Sequence, residues 1–174
     1  MQTLFKILIY GYGNPGRQDD SLGVELSKRL ESWVNENGIR DVECDANYQL
    51  NIEDAAAIAE KDIVVFADAS QEEIEDFCIS RVTGSSDASF TTHAASPGYI
   101  YKLCEEIFDK KPLVLLIHIK GYQWEFAEGL SAQAEINLLK AVEYLKRKIL
   151  HPESLFQIDK DRYFRCPEEN TNKK

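Results

Sequence analysis

The sequence predicts an α/β fold, a single three-layer α/β/α domain with a mainly parallel, twisted sheet of about five strands. Two observations lead to this prediction. Short apolar runs alternate with amphipathic segments, which is typical of β-α-β crossovers that place helices on both faces of a parallel sheet. The length of 174 residues also suits one domain. We therefore expect one folded unit over residues 1–150 and a charged, loosely packed or disordered tail over residues 151–174.

Five short segments are the predicted strands. They cover residues 4–10, 41–46, 62–67, 77–82 and 113–119. The nearly continuous apolar runs among them, such as residues 4–10 and 113–119, are typical of strands that are buried on both faces of a parallel sheet. The fourth segment is more polar than these runs, which favours a position near the edge of the sheet.

Four segments have the apolar spacing of amphipathic helices. They cover residues 21–34, residues 52–60, a stretch that begins at Pro97, and residues 132–149. Pro97 suits the first turn of its helix, where a missing N–H is tolerated. The last helix is the longest, and the residues that we expect on its buried side are Ile136, Leu139, Ala141, Val142 and Leu145.

Composition limits the classes of partner. The net charge of −10 argues against nucleic acid as a partner, because proteins bind the phosphate backbone through clustered Lys and Arg. No run approaches the ~18 apolar residues of a membrane span, and the apolar N-terminal stretch is too short for a signal peptide. The cysteines are widely spaced, without a C-x-x-C pair, and we expect reduced thiols in a cytoplasmic protein. They are Cys44, Cys78, Cys104 and Cys166.

The loop after the first strand is the most informative segment. It reads GYGNPGRQDD over residues 11–20 and precedes an amphipathic helix. Its glycines formally satisfy the G-x-G-x-x-G pattern of dinucleotide-binding proteins. In that pattern the helix begins within the glycines and its N-terminus meets the pyrophosphate. Here Pro15 and the polar residues after it delay the helix, and two carboxylates would occupy the diphosphate position, so dinucleotide binding is disfavoured.

Polar residues follow three of the predicted elements at what should be one edge of the sheet. Asp20 follows the first strand, Asp68 follows the third, and His93 lies in the loop before the helix that starts at Pro97. Open α/β sheets bind their ligands at the carboxyl ends of the strands. Two carboxylates and one imidazole suit a borderline divalent transition metal and leave coordination positions open. The sequence therefore predicts a metal-contacting site of these three residues.

Each of these residues also has an ordinary structural explanation. Asp20 could complement the helix dipole, Asp68 could form a turn, and His93 could hydrogen-bond within its loop. We expect Asp19 to cap or flank the helix, a role worth about 0.3–1 kcal/mol, because its side chain should diverge from that of Asp20. His118, between two isoleucines in the fifth strand, is expected to be a core or edge histidine.

Four segments carry a resemblance when they are taken in order. They read GYGNPGRQDDSLG at 11–23, ADA at 67–69, THAASP at 92–97 and GYQWEFAEGLS at 121–131. This ordered set resembles the hydrogenase maturation proteases, the endopeptidases that trim the C-terminus of [NiFe]-hydrogenase large subunits. The similarity runs from about residue 6 to residue 149 and includes YQLNIEDA at 48–55.

The resemblance implies a three-layer α/β/α fold and a metal-contacting triad that falls on Asp20, Asp68 and His93. It implies an endopeptidase without a cofactor of its own, whose partner is the nickel-loaded large-subunit precursor and whose recognition handle is the substrate's nickel. Cd²⁺ or Zn²⁺ is expected to substitute for that nickel in vitro. The chain departs from the family pattern at Ser21 and Ala127, where Gly is usual, and neither departure removes a ligand.

The resemblance leaves the chemistry and two alternatives open. A metal-polarised carbonyl or an activated water would break the peptide bond, with Asp20 or Asp68 as the base. A non-catalytic metallochaperone or docking factor would need the same ligands. A peptidyl-tRNA hydrolase shares a similar Gly-x-Gly-Asn-Pro-Gly opening, but that family continues with a Tyr and an Arg-His-Asn element, which this acidic chain lacks.

Overall fold

Alternating apolar and amphipathic segments fold into a five-stranded sheet between helices. The computed structural model describes residues 4–84 and 95–158. The strands are β1 (Ile7–Tyr12), β2 (Val42–Asn47), β3 (Ile63–Ser70), β4 (Phe77–Arg81) and β5 (Leu113–Lys120). The α-helices are α1 (Leu22–Glu36), α2 (Asp54–Ala59), α3 (Pro97–Phe108) and α4 (Ala132–Leu150). Short 3-10 helices cover Gln18–Ser21 and Pro152–Gln157.

The strand order is β2-β1-β3-β5-β4. Four strands are parallel, and β4 pairs with β5 in the antiparallel direction at the edge of the sheet. The α/β fold, the mainly parallel sheet and the edge position of the fourth strand are therefore confirmed. This order brings the carboxyl ends of β1, β3 and β5 side by side, so polar residues that follow these strands share one edge.

Side chains alternate between two apolar layers along each central strand, as the strand period of two requires. Ile7 and Ile9 of β1 pack in the cluster that includes α1 and α4. Leu8 and Tyr10 face the other cluster, which includes α2 and α3. Both faces of the sheet are thus covered at its centre, which explains why β1, β3 and β5 read as nearly unbroken apolar runs.

Glycines bring α1 unusually close to the sheet. A Cβ on Gly11 would lie 1.9 Å from the carbonyl oxygen of Gly23, and a Cβ on Gly23 would lie 2.2 Å from the carbonyl oxygen of Ala67. Gly13 has φ +140°, and a Cβ there would meet the carbonyl oxygen of Asp20 at 1.9 Å. Only glycine avoids these collisions, and the close approach holds the turn that carries Asp20 against β1 and β3.

The buried face of α4 matches the expected one in part, since Ala141, Val142 and Leu145 are buried as expected. Ile136 and Leu139 are 47% and 50% exposed, so their predicted burial is wrong. The buried stripe instead includes Asn137, whose amide donates to the Lys120 carbonyl at 3.1 Å and to the Tyr122 hydroxyl at 3.0 Å. The remaining buried residues of this helix are Ala134, Leu138, Ala141, Val142, Tyr144, Leu145 and Ile149.

The packed part of the chain extends beyond the expected boundary at residue 150. Leu155 and Ile158 are buried against the α1–α4 side of the core, and the ring of Phe156 lies 5.4 Å from that of Phe5. Burial of this apolar turn explains why the chain stays packed to Ile158. The prediction of a loose tail for residues 159–174 lies outside the described residues.

The cysteines only partly match the expectation of reduced thiols. Cys44 and Cys104 are free, whereas Cys78 is disulfide-bonded, so the expectation is wrong for this residue. Cys166 lies outside the described residues. Within residues 4–84 and 95–158 no helix is long and apolar enough to cross a membrane.

Candidate active site

Asp68 lies near the carboxyl end of β3 and faces the same side of the sheet as Phe66, in the α2–α3 layer. Burial raises its pKa to about 7, and the charge of Asp20 contributes in the same direction. Hydrogen bonds from the side chain of Tyr12 and the backbone of Ala69 act in the opposite direction. The surroundings of this carboxyl group therefore disfavour its charged form at neutral pH.

Asp20 lies in the 3-10 helix at Gln18–Ser21 and is partly exposed. Its Oδ2 accepts a hydrogen bond from the backbone N–H of Asn14 at 3.1 Å, which ties the side chain to the glycine-rich loop. Its charge reaches Asp68 strongly enough to raise the pKa of that group. The structure thus brings two of the three predicted site residues to one edge of the sheet.

His93, the third predicted ligand, lies outside the described residues. Within residues 4–84 and 95–158 no group of three or more His, Cys, Asp and Glu side chains is arranged to hold a metal ion. The two carboxylates alone are therefore an incomplete set of metal ligands. The metal-binding role of Asp20, Asp68 and His93 stays a prediction.

A row of polar residues crosses the sheet beside Asp68. Tyr12 of β1 comes one position after the pair that β1 last makes with β3, which places it next to Asp68. His118 of β5 is the register partner of Asp68 on the other side. The row continues to Asn47 on β2 and Cys78 on β4. Sequence reasoning missed Tyr12 and assigned no site role to His118. The signal that could have found them is a residue with a polar group near the end of an otherwise apolar strand.

Both neighbours of Asp68 have shifted pKa values. Burial and then the charge of Asp68 raise the pKa of Tyr12 well above its ordinary value, so this phenol stays protonated and can donate to the carboxylate. Burial lowers the pKa of His118, with the charge of Glu72 acting in the opposite direction. The row therefore presents a phenol and a largely neutral imidazole on either side of the carboxyl group.

Asp19 turns away from Asp20 and is completely buried. Its Oδ2 accepts from the backbone N–H of Tyr122 at 2.7 Å, from that of Gln123 at 2.9 Å and from the Ser131 hydroxyl at 2.7 Å. Its Oδ1 accepts from the backbone N–H of Ser131 at 2.7 Å. Asp19 diverges from Asp20 as expected, but it anchors a distant loop and makes no side-chain cap on the helix.

Burial alone would raise the pKa of Asp19. The hydrogen bonds from Ser131, Tyr122 and Gln123 outweigh burial and lower the pKa below its ordinary value. Donors that converge on a carboxylate favour its charged form. Asp19 is therefore a buried, ionised anchor.

The loop of residues 121–131, which we call the docked loop, is bound to the segment that carries Asp20. The backbone N–H of Gln18 donates to the Ala127 carbonyl at 2.9 Å, and the backbone N–H of Glu125 donates to the Gln18 side chain at 3.0 Å. Gln18 has φ 43°, which is uncommon for a residue other than glycine. These hydrogen bonds hold it in that conformation.

The comparison with known proteins at the level of sequence gives no relative. No protein-family model matches the sequence, and no curated protein matches it. The fold therefore has to be compared through three-dimensional structure.

Solved structures do match the fold. The chain is similar to a [NiFe] hydrogenase maturation protease, HycI, from Thermococcus kodakarensis, with 24% identity and a TM-score of 0.66 over 82% of this chain and 92% of that one. It is similar to the hydrogenase maturating endopeptidase HybD from Escherichia coli, with 20% identity and a TM-score of 0.59 over 84% and 93% of the two chains. A hydrogenase 2 maturation peptidase from a Thaumarchaeota archaeon gives 19% identity and a TM-score of 0.57 over 83% and 97%.

These similarities cover nearly the whole of the solved chains and more than four-fifths of this one. At these identities the comparison concerns the fold. The chain has the three-layer α/β/α fold that is found in solved hydrogenase maturation proteases.

Proposed function

We propose that this protein is an endopeptidase that removes a C-terminal peptide from the nickel-loaded large-subunit precursor of a [NiFe]-hydrogenase. The observation that carries the proposal is a shared fold with a carboxylate pair at its functional edge. Solved maturation proteases have this fold over most of their length, and Asp20 and Asp68 lie here where parallel sheets place their ligand sites.

The proposed site contacts nickel that belongs to the substrate. Oxygens of Asp20 and Asp68 and a ring nitrogen of His93 would form an open O/O/N set. Such a set suits a borderline metal and leaves positions for ligands that the precursor itself supplies. A complete four-ligand cage would retain its own metal and exclude the guest.

Peptide hydrolysis at this site needs a polarised carbonyl or an activated water, which a metal ion supplies. The chain's own task is to accept a proton from the attacking water and to pass one to the leaving amine. Asp20 and Asp68 are the groups that we propose for this transfer, because both lie at the edge where the metal would sit.

A processing assay tests the proposal. We expect the purified protein to release a short C-terminal peptide from nickel-loaded precursor, seen as a mobility shift, and to leave nickel-free precursor intact. Asp20→Asn should abolish processing because both proposed roles require its charge. Asp109→Asn is the matched control, since Asp109 is exposed and follows α3 at the opposite edge of the sheet.

The outcomes separate the competing functions. Intact precursor under nickel-loaded conditions, with tight binding between the two proteins, would favour the docking-factor alternative. Equal cutting with and without nickel would contradict recognition through the metal and leave a protease. Full activity of Asp20→Asn would contradict the proposed site.

A further inference from the structure

The docked loop presents aromatic side chains to solvent. Phe126 is 84% exposed and Tyr122 is 43% exposed. The guanidinium carbon of Arg17 lies 5.3 Å from the centroid of the Phe126 ring, so the ring is supported on one side by a cation–π contact. Aromatic residues are enriched among the residues that dominate protein–protein binding energy.

The loop that carries these aromatics is rigid. Asp19 binds both of its ends, through Tyr122 and Ser131. Its middle is bound by Gln18 through Ala127 and by the Arg17 guanidinium, which donates to the Trp124 carbonyl at 3.3 Å. A binding surface that is already ordered loses little conformational entropy when a partner docks.

The acidic residues of the docked loop indicate which charge a partner should carry. Residues 121–131 contain two glutamates and neither Lys nor Arg, within a chain of net charge −10. Glu125 and Glu128 are both exposed, on either side of the Phe126–Ala127 segment. Two cations lie near these aromatics. Arg17 is engaged with the Phe126 ring and with the Trp124 carbonyl. Lys120 lies 6.0 Å from the centroid of the Tyr122 ring and donates to the carbonyls of Gln71 and Glu72. The exposed surface is therefore aromatic and acidic, and complements an apolar segment that carries Lys or Arg.

The position of the loop links it to the candidate active site. Arg17, Gln18 and Asp19, which bind the loop, directly precede Asp20 in the chain. A polypeptide that lies on the loop would therefore reach the carboxyl edge of the sheet without crossing another element. The docked loop is therefore held by the residues next to Asp20 in the chain.

We propose that the docked loop is the docking surface for the polypeptide substrate, and that an apolar, basic segment of the large-subunit precursor packs on Phe126 between Glu125 and Glu128. The inference rests on the proposed function and names the chemistry of the substrate segment that the site engages. The loop contributes binding, and the carboxylates of the site contribute the reaction.

The test uses a large-subunit precursor, loaded with nickel, and two variants of the loop. One is Phe126→Ala, and the other combines Glu125→Lys with Glu128→Lys. The matched controls are Phe108→Ala and Glu36→Lys, because both residues are exposed and lie at the C-terminal ends of helices at the opposite edge of the sheet. Thermal unfolding verifies that each variant is folded.

We expect each loop variant to raise KM for processing by about tenfold or more, the loss typical of an interface anchor, with kcat unchanged at saturating precursor. The controls should leave both constants unchanged. A wild-type KM in Phe126→Ala, or an equal rise in Phe108→Ala, would overturn the inference and leave the protease intact.

The same variants separate this inference from the proposed function. If the wild-type protein leaves the precursor uncut, the proposed function fails, and calorimetric titration of the precursor into the wild-type and Phe126→Ala proteins decides the docking question. Weaker binding by Phe126→Ala would support the docking surface. Equal binding, or no binding by either protein, would overturn it.

Discussion

The side chains of Asp19 and Asp20 leave the same 3-10 turn in different directions. Asp19 is buried among backbone donors of the docked loop, whereas Asp20 is partly exposed and its charge raises the pKa of Asp68. Two identical residues in sequence therefore have separate tasks, one in holding the turn and one in the candidate site. The difference arises from the hydrogen-bond partners of each carboxylate: Asp19 accepts from the docked loop, and Asp20 accepts from Asn14.

The ionisation of Asp68 predicts an unusual dependence of stability on pH. Its pKa is about 7 in the folded protein against an ordinary value of 3.8, so the folded state holds a proton that the unfolded chain releases. The free energy of unfolding should therefore fall as pH rises from about 4 to about 7, and remain low above that range. Asp68→Asn removes this ionisation and should be more stable than the wild type at pH 8, by up to about 4 kcal/mol.

Urea unfolding at pH 4 and pH 8 measures this effect. The two proteins should differ by less than about 1 kcal/mol at pH 4, because the folded carboxyl group is protonated there and the unfolded one is only about half ionised. Asp109→Asn, at an exposed position, should show no comparable gain at pH 8. An Asp68→Asn protein that is less stable than the wild type at pH 8 would contradict the burial argument.

Asp19 should show the opposite dependence on pH. Its hydrogen bonds lower its pKa in the folded state, so its contribution to stability is present at neutral pH and is lost as pH falls through the acidic range. Asp19→Asn places an amide NH₂ against backbone donors and should cost about 2–4 kcal/mol at pH 7. Urea unfolding should show a smaller difference in stability between Asp19→Asn and the wild type near pH 3. A loss of stability below about 1 kcal/mol at pH 7 would contradict the anchoring role and fit that of a helix-terminal acid.

Tyr12 should act on metal binding through Asp68. Its phenol hydrogen-bonds to that carboxylate, and partners of this kind orient metal ligands, so that their loss typically weakens metal affinity by about 10–100-fold. We expect Tyr12→Phe to reduce Cd²⁺ affinity about tenfold in calorimetry. Tyr10→Phe is the matched control, because Tyr10 lies on the same face and strand but bonds to Asp54. Equal Cd²⁺ affinity in Tyr12→Phe and the wild type would exclude this role.

At the scale of elements, the orientation of α4 can be tested by two neighbouring substitutions. Leu138 is completely buried and Ile136 is 47% exposed. Leu138→Ala should therefore reduce the free energy of unfolding by about 3–5 kcal/mol, and Ile136→Ala by less than about 1 kcal/mol. Urea unfolding of both variants measures the contrast, and a larger loss in Ile136→Ala would mean that the helix buries its other face.

The central strands β1, β3 and β5 followed from the sequence because burial on both faces leaves apolar runs that can be read locally. The buried face of α4 followed only in part, because Ile136 and Leu139 have nearly the same spacing as the stripe that is buried. That choice depends on where Asn137 finds hydrogen-bond partners, on β5 and the docked loop. Local periodicity does not contain this information.

The candidate site could also be predicted only in part. Asp20 and Asp68 could be placed at one edge because each follows a strand, and parallel strands end together. The proximity of Tyr12 and His118 to Asp68 depends on the order β1-β3-β5, which no local pattern specifies. The anchoring role of Asp19 depends on partners in the docked loop, far along the chain.

At the scale of the whole molecule, topology is shared where sequence has diverged. The chain is only 24% identical to the HycI structure from Thermococcus kodakarensis, yet the two superpose with a TM-score of 0.66. The strand order sets which loops meet at the carboxyl edge, and apolar residues of many kinds can fill the layers behind it. The residues of the core can therefore change while the fold is kept.

The contacts of Asp19 also set an order of events during synthesis. Its partners Tyr122 and Ser131 follow it by 103 and 112 residues, so a growing chain contains the carboxylate long before it contains the donors. Until residue 131 has left the ribosome, the turn that carries Asp20 lacks its anchor, and closing so long a loop carries an entropic cost that grows with loop length. The edge that carries Asp20 and Asp68 therefore reaches its final geometry only after the docked loop has been synthesised.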